Sequence, residues 1–419
     1  MKTIIQTSFL QLLLAQLSFT QGSWSPAGDM PENRYFHTVN ELAGKICVVG
    51  GKNAEVGAVL KTALVYERSS GVWTQIPLFN NKAIYGHTSC VVGGKLYVIG
   101  GNDSSSTTLS TMAMLDPTTD LWVSRKGMPT DRSLAACASI EGKIYVIGGG
   151  RTIGGNIDAS GLQTVEVYDT TNDTWTALAD MPTRRWGHSA VALHGKIYVV
   201  GGVSFGSVTT VYASVEVYDP QKDSWTTNSG MPTARYNLTC CALDSSIFAI
   251  GGWYNSGSGP IYDKVEIYNP ESDKWNTENP LPVARAGLAS IVLDGKISVY
   301  GGSRTNHPLI GTSAIYEFST ISSDVEGEKI LPTEVSLEQN YPNPFNPSTT
   351  IRYALPIRAH VTVNVFNTLG QHIVELVNGD IDSGTHDVKF DGTRLASGVY
   401  YYRLIAGAHV DSKKLLLMK

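Results

Sequence analysis

A chain of 419 residues with 42% apolar content is long enough to bury a large core and to hold two domains. Charged residues make up only 16% and the formal net charge is −5, so there is no basic field to draw nucleic acid or an anionic membrane surface. Five cysteines, Cys47, Cys90, Cys137, Cys240 and Cys241, show no framework spacing; they exclude a disulfide-stapled scaffold and read as buried thiols.

Residues 1–22 have the layout of a secretory signal peptide: Lys2, the apolar Phe9-Leu10 and Leu12–Ala15, then Ser18–Thr20. The apolar stretch is shorter than the roughly 20 residues that cross a bilayer, and no later segment is long enough, so no transmembrane span is expected. An exported chain without disulfides is more typical of bacterial than of animal secretion.

Over residues 23–318 the chain repeats itself. Gly-Gly recurs six times, at Gly50, Gly100, Gly148, Gly201, Gly251 and Gly301, with a period of about fifty residues. Tryptophan keeps the same beat at Trp24, Trp73, Trp122, Trp175, Trp225 and Trp275, and Tyr66, Leu115, Tyr168, Tyr218 and Tyr268 stand seven residues before the last five. Segments such as Ser214–Asp219 are rich in β-branched and aromatic residues and read as strands, four to a repeat. Asp116–Asp120, Asp219–Asp223 and Asn269–Asp273 carry the proline and Asx residues of hairpin turns. The glycines mark where a strand ends and the chain passes close to a neighbour. Trp24 has no aromatic seven residues before it and Tyr316 no tryptophan after it, so the strand of Trp24 is expected to complete the last unit.

Paired glycines followed by Tyr and Trp, six times in the same order, resemble the kelch repeat. The resemblance implies an all-β fold, a six-bladed kelch-type β-propeller whose N-terminal strand closes the last blade. After a polar linker at 319–334, residues 335–419 alternate apolar and polar over roughly seven short strands, the pattern of a small immunoglobulin-like β-sandwich. Asn340–Thr350, Gly398-Val-Tyr and the closing Lys413–Lys419 resemble the C-terminal sorting domain of the type IX (Por) secretion system. That resemblance implies export to the cell surface or beyond it, with 335–419 engaging the secretion machinery.

Sixteen residues before the doublets stand Arg34, Arg132, Arg185, Arg235 and Arg285, with Ile84 in the remaining repeat. The residues admit two readings. Guanidinium groups ringing a channel mouth would grip a carboxylate, sulfate or phosphate; the same groups would equally well bond backbone carbonyls and hold the ring together. In some kelch proteins arginines at this position hold an acidic peptide, which the resemblance extends to these five. Loops after residues 149, 202 and 252 vary most and carry Phe205, Trp253 and Tyr254. The candidate ligand-binding set is therefore Arg34, Arg132, Arg185, Trp186, Arg235, Arg285, Trp253 and Tyr254, for a protein or carbohydrate ligand, acidic ones included. His37, His87 and His188 read as packing between blades or as surface groups, not as metal ligands. No catalytic residue, metal ligand or cofactor is assigned.

The expectation is a secreted or surface binding module. The alternative is a sugar-acid mutarotase resembling N-acetylneuraminate epimerase, with Glu32 or Asp131 beside the arginines as acid or base. The residue set of the kelch copper radical oxidases is not found.

Overall fold

The computed structural model describes residues 22–53, 55–153, 156–158, 161–254, 259–304, 311–319, 334–340, 343–407 and 409–418. They fall into two compact units divided between Ser322 and Ser323. The expected signal peptide, but for Gly22, and the linker, but for its end residues, lie outside the described residues.

The first unit contains six four-stranded antiparallel sheets among its described residues. The fourth is representative: Ser189–Leu193, Lys196–Val200, Val215–Asp219 and Ser224–Asn228 pair in chain order. Its second strand is buried at every position after Lys196, whereas its last strand buries none and half-covers Trp225. Burial thus peaks in the second and third strands and falls away in the fourth, where the tryptophan shields the rim. In the sixth sheet Ala289–Leu293, Lys296–Tyr300 and Thr312–Ser319 are joined by Ser23–Arg34 from the other end of the chain. Trp24 lies opposite Phe318, ring centroids 5.0 Å apart. The aromatic partner of Trp24 is therefore Phe318, two residues beyond the Tyr316 expected from spacing and on the same face of the strand, because the register sets Tyr316 opposite Pro26.

Sheet packs on sheet through apolar clusters. Tyr145, Ile147 and Val165 of the third sheet meet Ile197, Val199 and Tyr218 of the fourth; Ile46, Val48 and Leu64 of the first meet Met30, Tyr300 and Ile315 of the sixth. The first strands, Thr38–Leu42, Thr88–Val92, Ala136–Ile140, Ser189–Leu193, Thr239–Leu243 and Ala289–Leu293, touch in that order, and the sixth touches the first. Cys90, Cys137, Cys240 and Cys241 lie on these strands, all unbridged.

The doublets join the sheets. The second glycine donates its N–H to the next sheet's backbone, as Gly202 does to Arg235 at 3.0 Å. A β-carbon on Gly201, at φ 69°, would stand 2.5 Å from that same carbonyl oxygen, and neither backbone can give way. Gly201→Ala is expected to lower stability by roughly 2 kcal/mol or more through left-handed strain and this contact. Urea denaturation of the variant against the parent checks it.

The second unit has a three-stranded sheet, Ser336–Leu337, Ser348–Leu355 and Gly384–Asp391, and a four-stranded sheet, His372–Ile381, Ala359–Asn367, Gly398–Ala406 and His409–Leu417. Both contribute to one core that includes Ile351, Tyr353, Val363, Phe390, Tyr402 and Leu415. The segment that opens this unit is part of the packing: Phe345 is buried, and buried Asn340 donates its N–H to the Tyr402 hydroxyl at 2.8 Å and its Nδ2 to Thr349 at 3.0 Å.

Candidate recognition face

Two residues after each arginine position of the first unit, the backbone enters the left-handed region, at Phe36, Gly86, Leu134, Gly187, Asn237 and Gly287, with φ from 51 to 62°. There each N–H donates to the carbonyl at the same position one sheet earlier: Gly86 to Phe36, Leu134 to Gly86, Gly187 to Leu134, Asn237 to Gly187, Gly287 to Asn237 and Phe36 back to Gly287, at 2.6–2.9 Å. The six bonds run in a circle. Large side chains alternate with glycine around it because they lie over the glycines; a β-carbon on Gly187 would meet Asn237 Oδ1 at 2.6 Å, and one on Gly287 the Phe36 ring at 2.8 Å.

Just outside the circle, Tyr35, Tyr85, Ser133, Trp186, Tyr236 and Ala286 form bridges to the residues that follow the doublets. One face therefore gathers the circle, these positions and the post-doublet loops. Its chemistry is lopsided. Phe205, Trp186, Tyr236, Trp253 and Phe36 form an unbroken aromatic chain, with successive centroids 5.5, 5.5, 5.7 and 6.2 Å apart. The small Ala286 packs beneath it with Val203. Elsewhere on the circumference stand Tyr35 and Tyr85, bridged to Lys52 and Asn102, and then Ser133 and Gly150. Among the loops on this face, Val56, Val208 and Tyr254 are 70%, 74% and 48% exposed. Trp253 is buried within the aromatic chain, Trp186 is half-buried, and Tyr254 projects.

The five arginines do not share that surface. All are buried, and each guanidinium is committed to backbone carbonyls. Arg185 donates to the Gly201 carbonyl at 2.8 Å and to Glu216 at 2.5 Å. Arg132 bonds Gly148, Thr164 and Glu166, and Arg235 bonds Ala249 and Glu266. Arg34 bonds Gly50 and Thr62 and pairs with Glu32 at 2.9 Å. Arg285 bonds Gly301 and Ala314 and stacks over Tyr316, 4.7 Å from its centroid. Burial pulls Arg34 and Arg285 down to about 10 and lowers Arg132 and Arg185 against the pull of their glutamates. The geometry is that of clamps across strands, not of an anion-gripping mouth, because backbone carbonyls meet every fork and a third-strand glutamate meets those of Arg132, Arg185 and Arg235. Where Ile84 replaces the arginine, Ala113 takes the place of the glutamate.

Sequence reasoning passed over those glutamates. Glu166, Glu216 and Glu266 each lie two residues before the repeat tyrosine, a period-two position that reads as solvent-facing on a one-sided sheet. His37, His87 and His188 are buried, and desolvation holds each down to about 3. His188 lies against Gly148, where an added β-carbon would come within 2.7 Å of its ring. Of the acid–base candidates, Glu32 is paired with Arg34 and Asp131 with Arg151 at 2.6 Å.

The KLHDC2/KLHL20/DRC7 Kelch-repeats domain matches residues 36–252 and 154–325, most of the chain. The chain belongs to the kelch-repeat family. Relatives of this kelch unit include Kelch-like protein 15 of Danio rerio, 31% identical over 44% of this chain and 33% of that protein. Kelch-like protein 40 of Xenopus laevis is 28% identical over 45% of this chain and 30% of its own length, and Beta-scruin of Limulus polyphemus is 31% identical over 43% and 20%. This kelch protein thus spans a third or less of the curated relatives it matches. Residues 339–418 match the secretion system C-terminal sorting domain, so the kelch unit is joined to a tail that directs export.

Proposed function

We propose that the chain is an exported protein-binding module: a six-bladed propeller at 23–318 closed by its N-terminal strand, carried out of the cell by a signal peptide at 1–22 and an immunoglobulin-like sorting sandwich at 335–419. The observation that carries the reading is the aromatic chain Phe205, Trp186, Tyr236, Trp253 and Phe36 beneath exposed Val56, Val208 and Tyr254. Rigid aromatics flanked by exposed apolar loop residues match the anchors of protein interfaces, where Trp and Tyr carry most of the binding energy. The tail, by its family, delivers that face to the cell surface or the medium, where its partner would be met.

The test is a screen of the purified kelch unit against an array of surface and secreted proteins and glycans, repeated with Trp186→Ala and Tyr254→Ala. A protein partner whose affinity falls by about 2 kcal/mol in each variant supports the reading. Retention on glycans alone, or a partner indifferent to both substitutions, would overturn it.

A further inference from the structure

A second site lies away from that face, where the sixth sheet meets the first. Three of the other pairs of neighbouring sheets are fastened at the outer rim by a repeated lock. Asp173 accepts from the Tyr168 hydroxyl at 2.6 Å and from the Lys126 N–H of the preceding sheet at 3.0 Å, while Trp175 Nε1 donates to the Lys126 carbonyl at 2.8 Å. Asp223 with Tyr218, Trp225 and Ala179, and Asp273 with Tyr268, Trp275 and Ser229, repeat it. The tyrosine's hydrogen bond and the backbone N–H hold each of these carboxyls below the usual range. Each lock is thus a carboxylate seat made of a phenol, a backbone amide and an adjacent indole.

In the first sheet the position of that aspartate is Gly71, at φ 69° in the same left-handed conformation as Asp173 at 53°. Its neighbours keep the lock's other parts: Tyr66 and Trp73 pair at 4.8 Å, and Gly28 of the strand Ser23–Arg34 occupies the place of Lys126, four residues after its tryptophan. Among the described residues neither the Tyr66 hydroxyl, the Trp73 indole nor the Gly28 amide has a recorded hydrogen-bond partner. All three line, with Gly71, a cleft of about 450 Å³. Arg68, paired with Asp294 across the seam, and Lys296, paired with Glu317, stand on its walls. Asp29, which accepts from Ser313 at 3.1 Å, is the opposing charge.

We propose that this seam cleft binds a carboxylate supplied by another molecule, which takes the seat that Asp173, Asp223 and Asp273 fill at three other interfaces. The phenol and the amide donate to it, and its carrier lies along the Trp73 ring. The volume admits a short acidic peptide segment as well as a free organic acid. This reading is independent of the aromatic face.

The test is titration of the full chain, 15N-labelled, with the peptide Ac-Gly-Asp-Gly-amide, its Asn analogue and acetate, reading the Trp73 indole resonance assigned through Trp73→Phe. A saturable shift with the Asp peptide and not the Asn peptide is expected. Acetate alone producing the same shift at equal affinity would identify a free acid as sufficient, and a tighter peptide a protein ligand; both uphold the carboxylate seat. Tyr66→Phe should weaken binding about tenfold, one charge-assisted hydrogen bond, and Asp29→Asn should strengthen it. Gly71→Asp should place its own carboxylate in the seat, raise the melting temperature and abolish the response. No saturable shift, equal response to the Asn peptide, or undiminished binding by Gly71→Asp would overturn the proposal.

Discussion

Replacing Arg185 by alanine should destabilise the kelch unit by about 3–5 kcal/mol, because it leaves the buried Glu216 side chain without its guanidinium partner and held only by the Thr183 hydroxyl. The guanidinium also ties Gly201 and Ser214 across the second and third strands, so its loss leaves acceptors unsatisfied at once. A pair is a different matter from its halves. The second sheet lacks both members, with Ile84 and Ala113 in their places, and still pairs as four strands. Arg185→Ile combined with Glu216→Ala should therefore recover most of the loss, since replacing a buried ion pair by apolar groups is often close to neutral. Urea denaturation of the single and double variants measures both. A single variant that melts like the parent would place the guanidinium in water and contradict its burial.

Acid should unfold the kelch unit well above the pH at which carboxylates alone would require it. His37, His87 and His188 are buried and held at about 3, chiefly by desolvation, against about 6.5 in an unfolded chain. Between those values the unfolded state binds a proton at each site and the folded state does not, so stability is full above pH 6.5 and falls as pH drops toward 3. One histidine contributes about 1.4 kcal/mol per pH unit and three together about 4 in the middle of that window. The free energy of unfolding measured by urea at pH 7, 5.5 and 4.5 tests the slope. His188→Met should flatten it by about a third; an unchanged slope would mean that the ring is reached by solvent.

Much of the fold was legible because the repeat advertises itself. The doublet, the tryptophan and the hairpin aspartates recur at one spacing, and each does one physical job: close passage, rim cover and turn. The arginine forks were harder to place. Arg185 and Glu216 lie 31 residues apart, one ahead of the first strand and one on the third, in a sheet whose two faces are both packed. Alternation, which on an open sheet separates water from core, there separates one inter-sheet layer from the next, so Val-Glu-Val-Tyr-Asp hid a buried carboxylate. The circle of six was half visible: Gly86, Gly187 and Gly287 stand at its alternate positions, but nothing in Phe36, Leu134 or Asn237 announces a left-handed backbone. Gly71 in place of an aspartate drew no reading from the sequence alone; it acquires meaning because Asp173, Asp223 and Asp273 hold neighbouring sheets.

The pairing of Trp24 with Phe318 also sets a clock. The first strand of the kelch unit cannot be seated until the last has been made, roughly 15–60 s later at about 5–20 residues per second. Throughout that interval the sixth sheet is missing an edge, and the first is missing the neighbour that covers Ile46 and Val48. The unit can reach its final state only after synthesis has passed residue 318, so a chain bound for export remains threadable for as long as its two ends are kept apart.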